Sequence, residues 1–293
     1  MTNNSPIEYV KDSFEIYLAK SDHISSSDIK NFLYSPKYYF YEKFEKKRDD
    51  DEVAKRHFIV GSALHELVLE PHEFKKHYTL SPVFDKKTAK GKADYELFQF
   101  KLNALKMQGL YPDEWTMITV MATNATKNKT LTELIKDGHR EVSCYTVDEP
   151  TGLLIRVRPD TLCTNVNTIV DLKTCLSSSK RRFTKDVYEY EYMISAAFYM
   201  DFLNRENYVF VSMEKDEPYQ VSLYQLDDDL IDVGRQRYRM ALDLLKWSRD
   251  NNYWCDYIEF EMLKEHYITE SLPNFFDYLE NTPKINIIQS RTK

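Results

Sequence analysis

Several things are scarce in this sequence, and each scarcity excludes something. There are only six glycines, no long apolar run, and no basic-then-apolar opening. Neither a membrane span nor a secretory signal is therefore expected. The four cysteines, Cys144, Cys163, Cys175 and Cys255, lie far apart with no C-x-x-C spacing. That argues against a disulfide framework and against a zinc or iron–sulfur site, and for thiols of a reducing, cytoplasmic compartment. Positive charge is not in excess either: the formal net charge is −7. This is awkward for a nucleic-acid protein, because phosphate binding calls for a basic face.

What the chain does have is bulk. With 293 residues, 42% of them hydrophobic and 14% aromatic, it can bury a substantial core, and one elaborated domain over residues 25–255 is expected. Residues 1–24 read as a loose lead-in, and 256–293 as a C-terminal extension of unassigned role. Charge is clustered. Lys43, Lys46, Lys47 and Arg48 form one basic group, Lys86, Lys87, Lys90 and Lys92 a second, and Lys180, Arg181, Arg182 and Lys185 a third. Acidic residues gather elsewhere, at 49–52 and 227–229. A locally basic channel on an acidic protein is compatible with this, although most charge runs are only solvated faces.

The order of elements is read from caps and periodicity. Ser25 to Asp28 can cap a helix bearing Ile29, Phe32 and Leu33 on one face. Pro36 restarts the chain into an aromatic stretch. A helix is expected over roughly 54–70, carrying His65, and a strand near 77–81. A turn at 85–92 should lead into a helix over roughly 93–108, with one or two more between 112 and 138. Strands follow at about 140–147, 152–163 and 167–175, then a helix at 190–204, strands at 207–214 and 219–226, and a long helix from 228 to 250. This succession suits an α/β or α+β layer with a mixed central sheet flanked by helices.

The most informative segment runs from Leu153 to Thr174. Two β-branched apolar runs flank the polar turn Asn165–Asn167, which reads as a β-hairpin. The first run closes on Asp160. The second carries Asp171 and Lys173 two positions apart, so both side chains leave one face of the strand. Two carboxylates converging beside a lysine are what a hard divalent cation and an attacked phosphodiester require. Each residue also has a plainer reading: a strand-end turn cap for Asp160, an incidental surface ion pair for Asp171 and Lys173.

Pro159-Asp160 with Asp171-Leu172-Lys173 resembles the PD-(D/E)XK nuclease superfamily. Within it, the RecE-type (exonuclease VIII-like) phage recombination exonucleases look most similar. Gly61-Ser62-Ala63-Leu64-His65-Glu66-Leu67-Val68 is similar to that group's histidine helix. Ser35-Pro36-Lys37-Tyr38-Tyr39 resembles its aromatic entry, and Lys87-Thr88-Ala89-Lys90-Gly91-Lys92 its basic turn. The segment Tyr192 to Tyr199 falls in the place of a Y-x-x-Q-x-x-x-Y pattern, but Ser195 stands where the family usually has glutamine, which puts substrate positioning in doubt.

The resemblance implies a restriction-endonuclease-like core and a metal site built from His65, Asp160, Asp171 and the Leu172 carbonyl. It implies Mg²⁺ or Mn²⁺ there, one or two ions per site, polarising the scissile phosphate and activating water. Lys173, with Asp160 and Asp171, would be catalytic. Lys173 is read as orienting or deprotonating that water or offsetting phosphate charge, with enclosure lowering its pKa. Glu141 is weighed as an extra ligand and set below the others, since glutamate on a strand edge is usually solvated. Lys86, Lys87, Lys90, Lys92, Lys180, Arg181, Arg182, Tyr192, Ser195 and Tyr199 are the candidates for DNA contact. By the same resemblance the substrate is the end of linear double-stranded DNA, digested 5′-to-3′ in recombination. The partners would be a single-strand annealing protein and further copies of the chain in a ring, in a bacterial host's cytoplasm. Two rivals stay open: a single-strand or structure-specific nuclease of the same superfamily, and a non-cleaving DNA-binding protein on a nuclease scaffold.

Overall fold

The structure, a computed structural model, describes residues 5–46 and 52–269. The expected extension at 256–293, and the basic and acidic residues at 47–51, lie in part or wholly outside the described residues.

The opening residues are not a loose lead-in. β1 (Glu8–Val10) is followed by α1 (Phe14–Ala19), capped by the Ser13 hydroxyl, which accepts the Ile16 N–H. α2 (Ser26–Tyr34) buries Ile29, Phe32 and Leu33, the face read from the sequence. α3 (Pro36–Phe40) begins at a proline, where the missing N–H has no partner to lose. The histidine helix is α4 (Glu52–Leu69); it is followed by α5 (Pro71–His77), again opened by proline. β2 (Tyr78–Leu80) pairs parallel with β3 (Gln108–Leu110), and between them lies α6 (Ala89–Leu105). α6 starts earlier than expected because Thr88 caps it, its hydroxyl accepting the Gly91 N–H. α7 (Pro112–Lys127) and α8 (Lys129–Ile135) complete the helical half.

The strands then arrive as β4 (His139–Arg140), β5 (Ser143–Val147), β6 (Leu154–Val157), β7 (Thr161–Cys163) and β8 (Thr168–Cys175). After them come α9 (Lys180–Glu189), α10 (Tyr192–Leu203), β9 (Asn207–Glu214), β10 (Val221–Tyr224), α11 (Asp228–Asn251) and α12 (Tyr257–Thr269). The central sheet has the order β10-β9-β8-β7-β4, with β8 and β9 parallel and the other pairs antiparallel. β1, β5 and β6 form a second, antiparallel sheet. The fold is α+β, with a mixed central sheet flanked by helices.

Two expectations need correcting here, and both corrections shape the site. The strand expected over 152–163 is two strands in two sheets. β6 pairs with β5, the chain breaks at Arg158–Asp160 around Pro159, and only β7 pairs with β8. Proline supplies no ladder donor, so the break falls there. Asp160 therefore stands just ahead of a hairpin strand rather than at the end of one. The strand expected over 140–147 also breaks, at Glu141, which has a left-handed backbone with φ of 50°. The two breaks face each other: the Glu141 N–H donates to the Asp160 carbonyl at 3.1 Å.

Compactness divides the described residues into two units, 5–26 with 52–236, and 27–46 with 237–269. In the first, Ala63, Leu64 and Val68 of α4 and Ile118, Met121 and Ala125 of α7 pack with Val170, Leu172, Val209 and Val211 of the sheet. Burying several such side chains, at about 1.5–3 kcal/mol each, is what fixes β8 in register beneath α4. In the second unit, Phe32 packs edge-on against both Tyr39 and Phe260.

Candidate active site

β8 positions the first pair of side chains by simple alternation. Val170 and Leu172 enter the helical core. Asp171 and Lys173, one residue out of phase, leave the opposite face. There the Lys173 ammonium pairs with Asp171 Oδ2 at 2.5 Å and lies 5.5 Å from the centre of the Tyr192 ring. Asp160 reaches the same point from the break just ahead of β7. Its Oδ2 accepts the Leu172 N–H at 2.6 Å, and its Oδ1 lies 3.5 Å from His65 Nδ1 on α4. Glu141 completes the group: His65, Glu141 and Asp160 each offer one ligand atom, and these atoms all lie within 4.8 Å of one another.

The charges show why such a group wants a cation. Burial opposes the charge on Asp160, but His65, Lys173 and the Leu172 N–H outweigh it and hold that carboxyl below its usual range. Burial, reinforced by the Asp160 charge, pushes Glu141 and Asp171 the other way, above the ordinary carboxylate range. Burial opposes the imidazolium of His65 too, yet Asp160 and Glu141 raise its pKa. Several acids thus crowd one partly enclosed point with too little positive charge among them, and a divalent cation would relieve both raised carboxyls at once. One imidazole nitrogen with carboxylate oxygens suits Mn²⁺ as well as Mg²⁺. Leu172 enters the site through its N–H, and its carbonyl would be a further donor.

Lys173 differs from expectation. Enclosure does not lower its pKa. Burial acts in that direction, but Asp171 and Asp160 more than offset it and push the amine up. Held by these two carboxylates it is a cation, a form able to orient water or offset phosphate charge.

α10 covers this face. Tyr192 stacks on Phe210 and burial raises its hydroxyl to about 12. The Tyr199 hydroxyl, also raised to about 12 by burial, accepts the Arg158 N–H at 3.5 Å. Ser195 sits between them, three residues after one and four before the other, so it shares their helical face.

The basic candidates fare differently. Lys86, Lys87, Lys90 and Lys92 are exposed around the start of α6, with the Lys86 ammonium 3.5 Å from the Tyr95 ring centre. No hydrogen bond or ion pair joins these four to the acidic cluster among the described residues. Lys180 and Arg181 are exposed in the first turn of α9. Arg182 turns back on its own helix, pairing with Asp186 at 2.7 Å and Glu189 at 3.5 Å.

Sequence reasoning passed over three residues here. Arg158 was visible only as part of the run before Pro159, yet its Nε donates to Glu141 Oε2 at 3.0 Å. Tyr208 of β9 is buried, and burial together with the nearby Asp171 charge pushes its hydroxyl pKa up. Asp12 binds Arg158 from the N-terminal segment at 3.1 Å. A charged residue inside an otherwise apolar run was a readable signal for Arg158; nothing in the sequence marks Asp12 or Tyr208.

Residues 25–265 match a family described as a PDDEXK-like domain of unknown function (DUF3799). Among solved structures the chain is similar to a protein from Eubacterium rectale proposed to be an exonuclease, with a TM-score of 0.52 and 14% identity over 81% of this chain and 87% of that one. It is also similar to an alkaline exonuclease from Laribacter hongkongensis, with a TM-score of 0.32 and 11% identity over 82% of this chain and 95% of the other. At 14% identity the likeness to the Eubacterium rectale protein is one of fold alone. No curated protein matches the chain.

Proposed function

Since the chain belongs to the PDDEXK-like domain family, we propose that it is a metal-dependent nuclease that hydrolyses phosphodiester bonds of DNA at the His65–Glu141–Asp160 centre. The observation that carries this reading is the meeting of those three groups within 4.8 Å, beside the Asp171–Lys173 pair at 2.5 Å. The family and its nuclease fold support the reading; the reaction itself is the proposal.

The residues divide the work by their chemistry. His65, Glu141, Asp160, Asp171 and the Leu172 carbonyl would hold Mg²⁺ or Mn²⁺, which when bound supplies Lewis acidity toward a phosphoryl oxygen and makes water more acidic. Lys173, kept cationic by Asp171, offsets charge that builds on the attacked phosphate and orients the nucleophilic water. Tyr192 and Tyr199 close the face from α10 and limit bulk water. Ser195 offers a hydroxyl where the resemblance leads one to expect a longer amide, so it would hold a substrate phosphate or water from further back.

The substrate in this proposal is the end of linear duplex DNA, degraded 5′-to-3′ for recombination. Exposed lysines at 86–92, with Lys180 and Arg181, supply phosphate contacts, and an annealing protein and a ring of like chains are the partners, as the RecE-type resemblance implies. No helix among the described residues is long and apolar enough to cross a membrane. The test is digestion of end-labelled linear duplex with Mg²⁺, with Mn²⁺ and with chelator, run beside Asp160→Ala and Lys173→Ala. Chelator should abolish product, and each substitution should lower the rate at least ~100-fold without unfolding the protein. Parental rates in both variants would remove the site. Closed circles should survive where linear DNA is degraded; loss of both would favour the structure-specific or single-strand rival over an end-dependent enzyme.

A further inference from the structure

Glu141, like Asp160, lies outside the regular elements, and among the described residues no backbone N–H of a strand fixes its side chain as the Leu172 N–H fixes that of Asp160. Glu141 sits at the break between β4 and β5 with a backbone φ of 50°, a conformation that a β-carbon disfavours. Something must hold it there, and the contacts around it lead to the N-terminal segment.

Arg158 grips the Glu141 side chain, its Nε donating to Oε2 at 3.0 Å. The other arm of the same guanidinium is fixed elsewhere: Nη1 donates to the Asp12 carbonyl at 3.2 Å, to Asp12 Oδ1 at 3.1 Å and to Ser143 Oγ at 2.5 Å. Asp12 in turn accepts from the Ser143 hydroxyl and, at 2.7 Å, from the Tyr145 hydroxyl. Its neighbour Lys11 donates to the Arg140 carbonyl at 2.8 Å and pairs with Glu70 at 3.0 Å. Lys11 and Asp12 thus bracket Glu141, one holding the residue before it and the other the residue two beyond it. The Arg158 and Asp12 side chains are only 10% and 7% exposed, so this ion pair is enclosed and its geometry constrained.

We propose that Asp12, acting through Arg158, is a positioning residue for Glu141 as a metal-binding carboxylate, so that the N-terminal segment completes the metal site. This rests on the metal-dependent reading above. The segment lies outside residues 25–265, the stretch matched to the family, whereas Arg158 and Glu141 lie within it. A ligand's hydrogen-bonded partners set its orientation and basicity, and removing one typically weakens metal binding by about 10–100-fold.

The test uses the full chain and reads Mn²⁺ binding by electron paramagnetic resonance, alongside cleavage of linear duplex. Asp12→Asn keeps the shape but removes the charge, and Arg158→Lys keeps the charge but cannot span both partners. Each should weaken Mn²⁺ binding about 10-fold while the circular dichroism spectrum stays parental. In a Glu141→Gln background, Asp12→Asn should weaken binding by less than about twofold more, because the pathway runs through Glu141. A merely structural role would leave the two effects additive. Unchanged Mn²⁺ affinity in both single variants, or additivity with Glu141→Gln, overturns the proposal and leaves the nuclease reading standing. If Asp12→Asn does not fold, Arg158→Lys decides alone. A parental protein that binds no Mn²⁺ overturns both, whereas one that binds Mn²⁺ tightly without cutting DNA overturns only the nuclease reading.

Discussion

At Asp160 two opposed demands meet. One oxygen accepts a backbone N–H from β8 and the other faces the His65 imidazole, so the carboxylate is fixed before any cation arrives. His65 and the cation therefore compete through a proton. With its pKa raised above the ordinary 6.5, the imidazole is protonated over a wider pH range, and only the neutral ring can bind metal. The half-saturating Mn²⁺ concentration should fall as pH rises from 6 to 8, steeply below the raised value and levelling off above it. A flat profile would show that His65 is not a ligand. The sign for stability is opposite. In the metal-free protein the His65–Asp160 pairing contributes fully below pH 6.5 and is lost as pH climbs through the raised value.

At the scale of elements, the centre depends on α10 being pressed close to its neighbours. Gly234 of α11 makes this possible: a β-carbon there would lie 2.1 Å from the Met193 carbonyl of α10. Gly234→Ala must push the helices apart, at a cost of about 1–3 kcal/mol. For a chain of this size that lowers the melting temperature by several degrees. Because α10 carries Tyr192, Ser195 and Tyr199, kcat should fall too, with the Mn²⁺ affinity little changed. Thr88→Ala offers a contrast: it removes the α6 cap and should cost about 1 kcal/mol with no change in Mn²⁺ affinity.

For the whole molecule, the crowding of acids predicts that metal stabilises the fold. Glu141 and Asp171 have raised pKa values, so their ionisation penalises the metal-free protein once pH exceeds the ordinary carboxylate range. Mn²⁺ at about 100 times its dissociation constant should add roughly 2.7 kcal/mol, seen as a higher melting temperature. At a fixed Mn²⁺ concentration the gain should be larger at pH 8 than at pH 6, and chelator should remove it. Net charge of −7 makes DNA binding depend on local basic groups. Replacing Lys86, Lys87, Lys90 and Lys92 with glutamine should reduce the slope of log K against log salt by up to ~0.9 for every phosphate these ammonium groups neutralise. An unchanged slope would mean that those lysines are only solvated.

Much of this was legible in the residues themselves. Alternation along Thr168 to Thr174 put Asp171 and Lys173 on one face, and the apolar spacing of α4 placed His65 on a helix, because both depend only on local periodicity. The seven-residue interval from Tyr192 to Tyr199 likewise gave a shared helical face. Sequence could not reveal that Pro159 splits one apolar run between two sheets, since a run of β-branched residues is the same whichever strand it pairs with. Nor could it reveal that Lys173 is held cationic: its pKa depends on how many carboxylates surround it after folding, not on its neighbours in the chain. Glu141 was undervalued for the same reason. Its place beside Asp160 arises where two strand breaks meet, and Arg158 and Asp12, far apart in sequence, fix its side chain through contacts that only the tertiary structure creates.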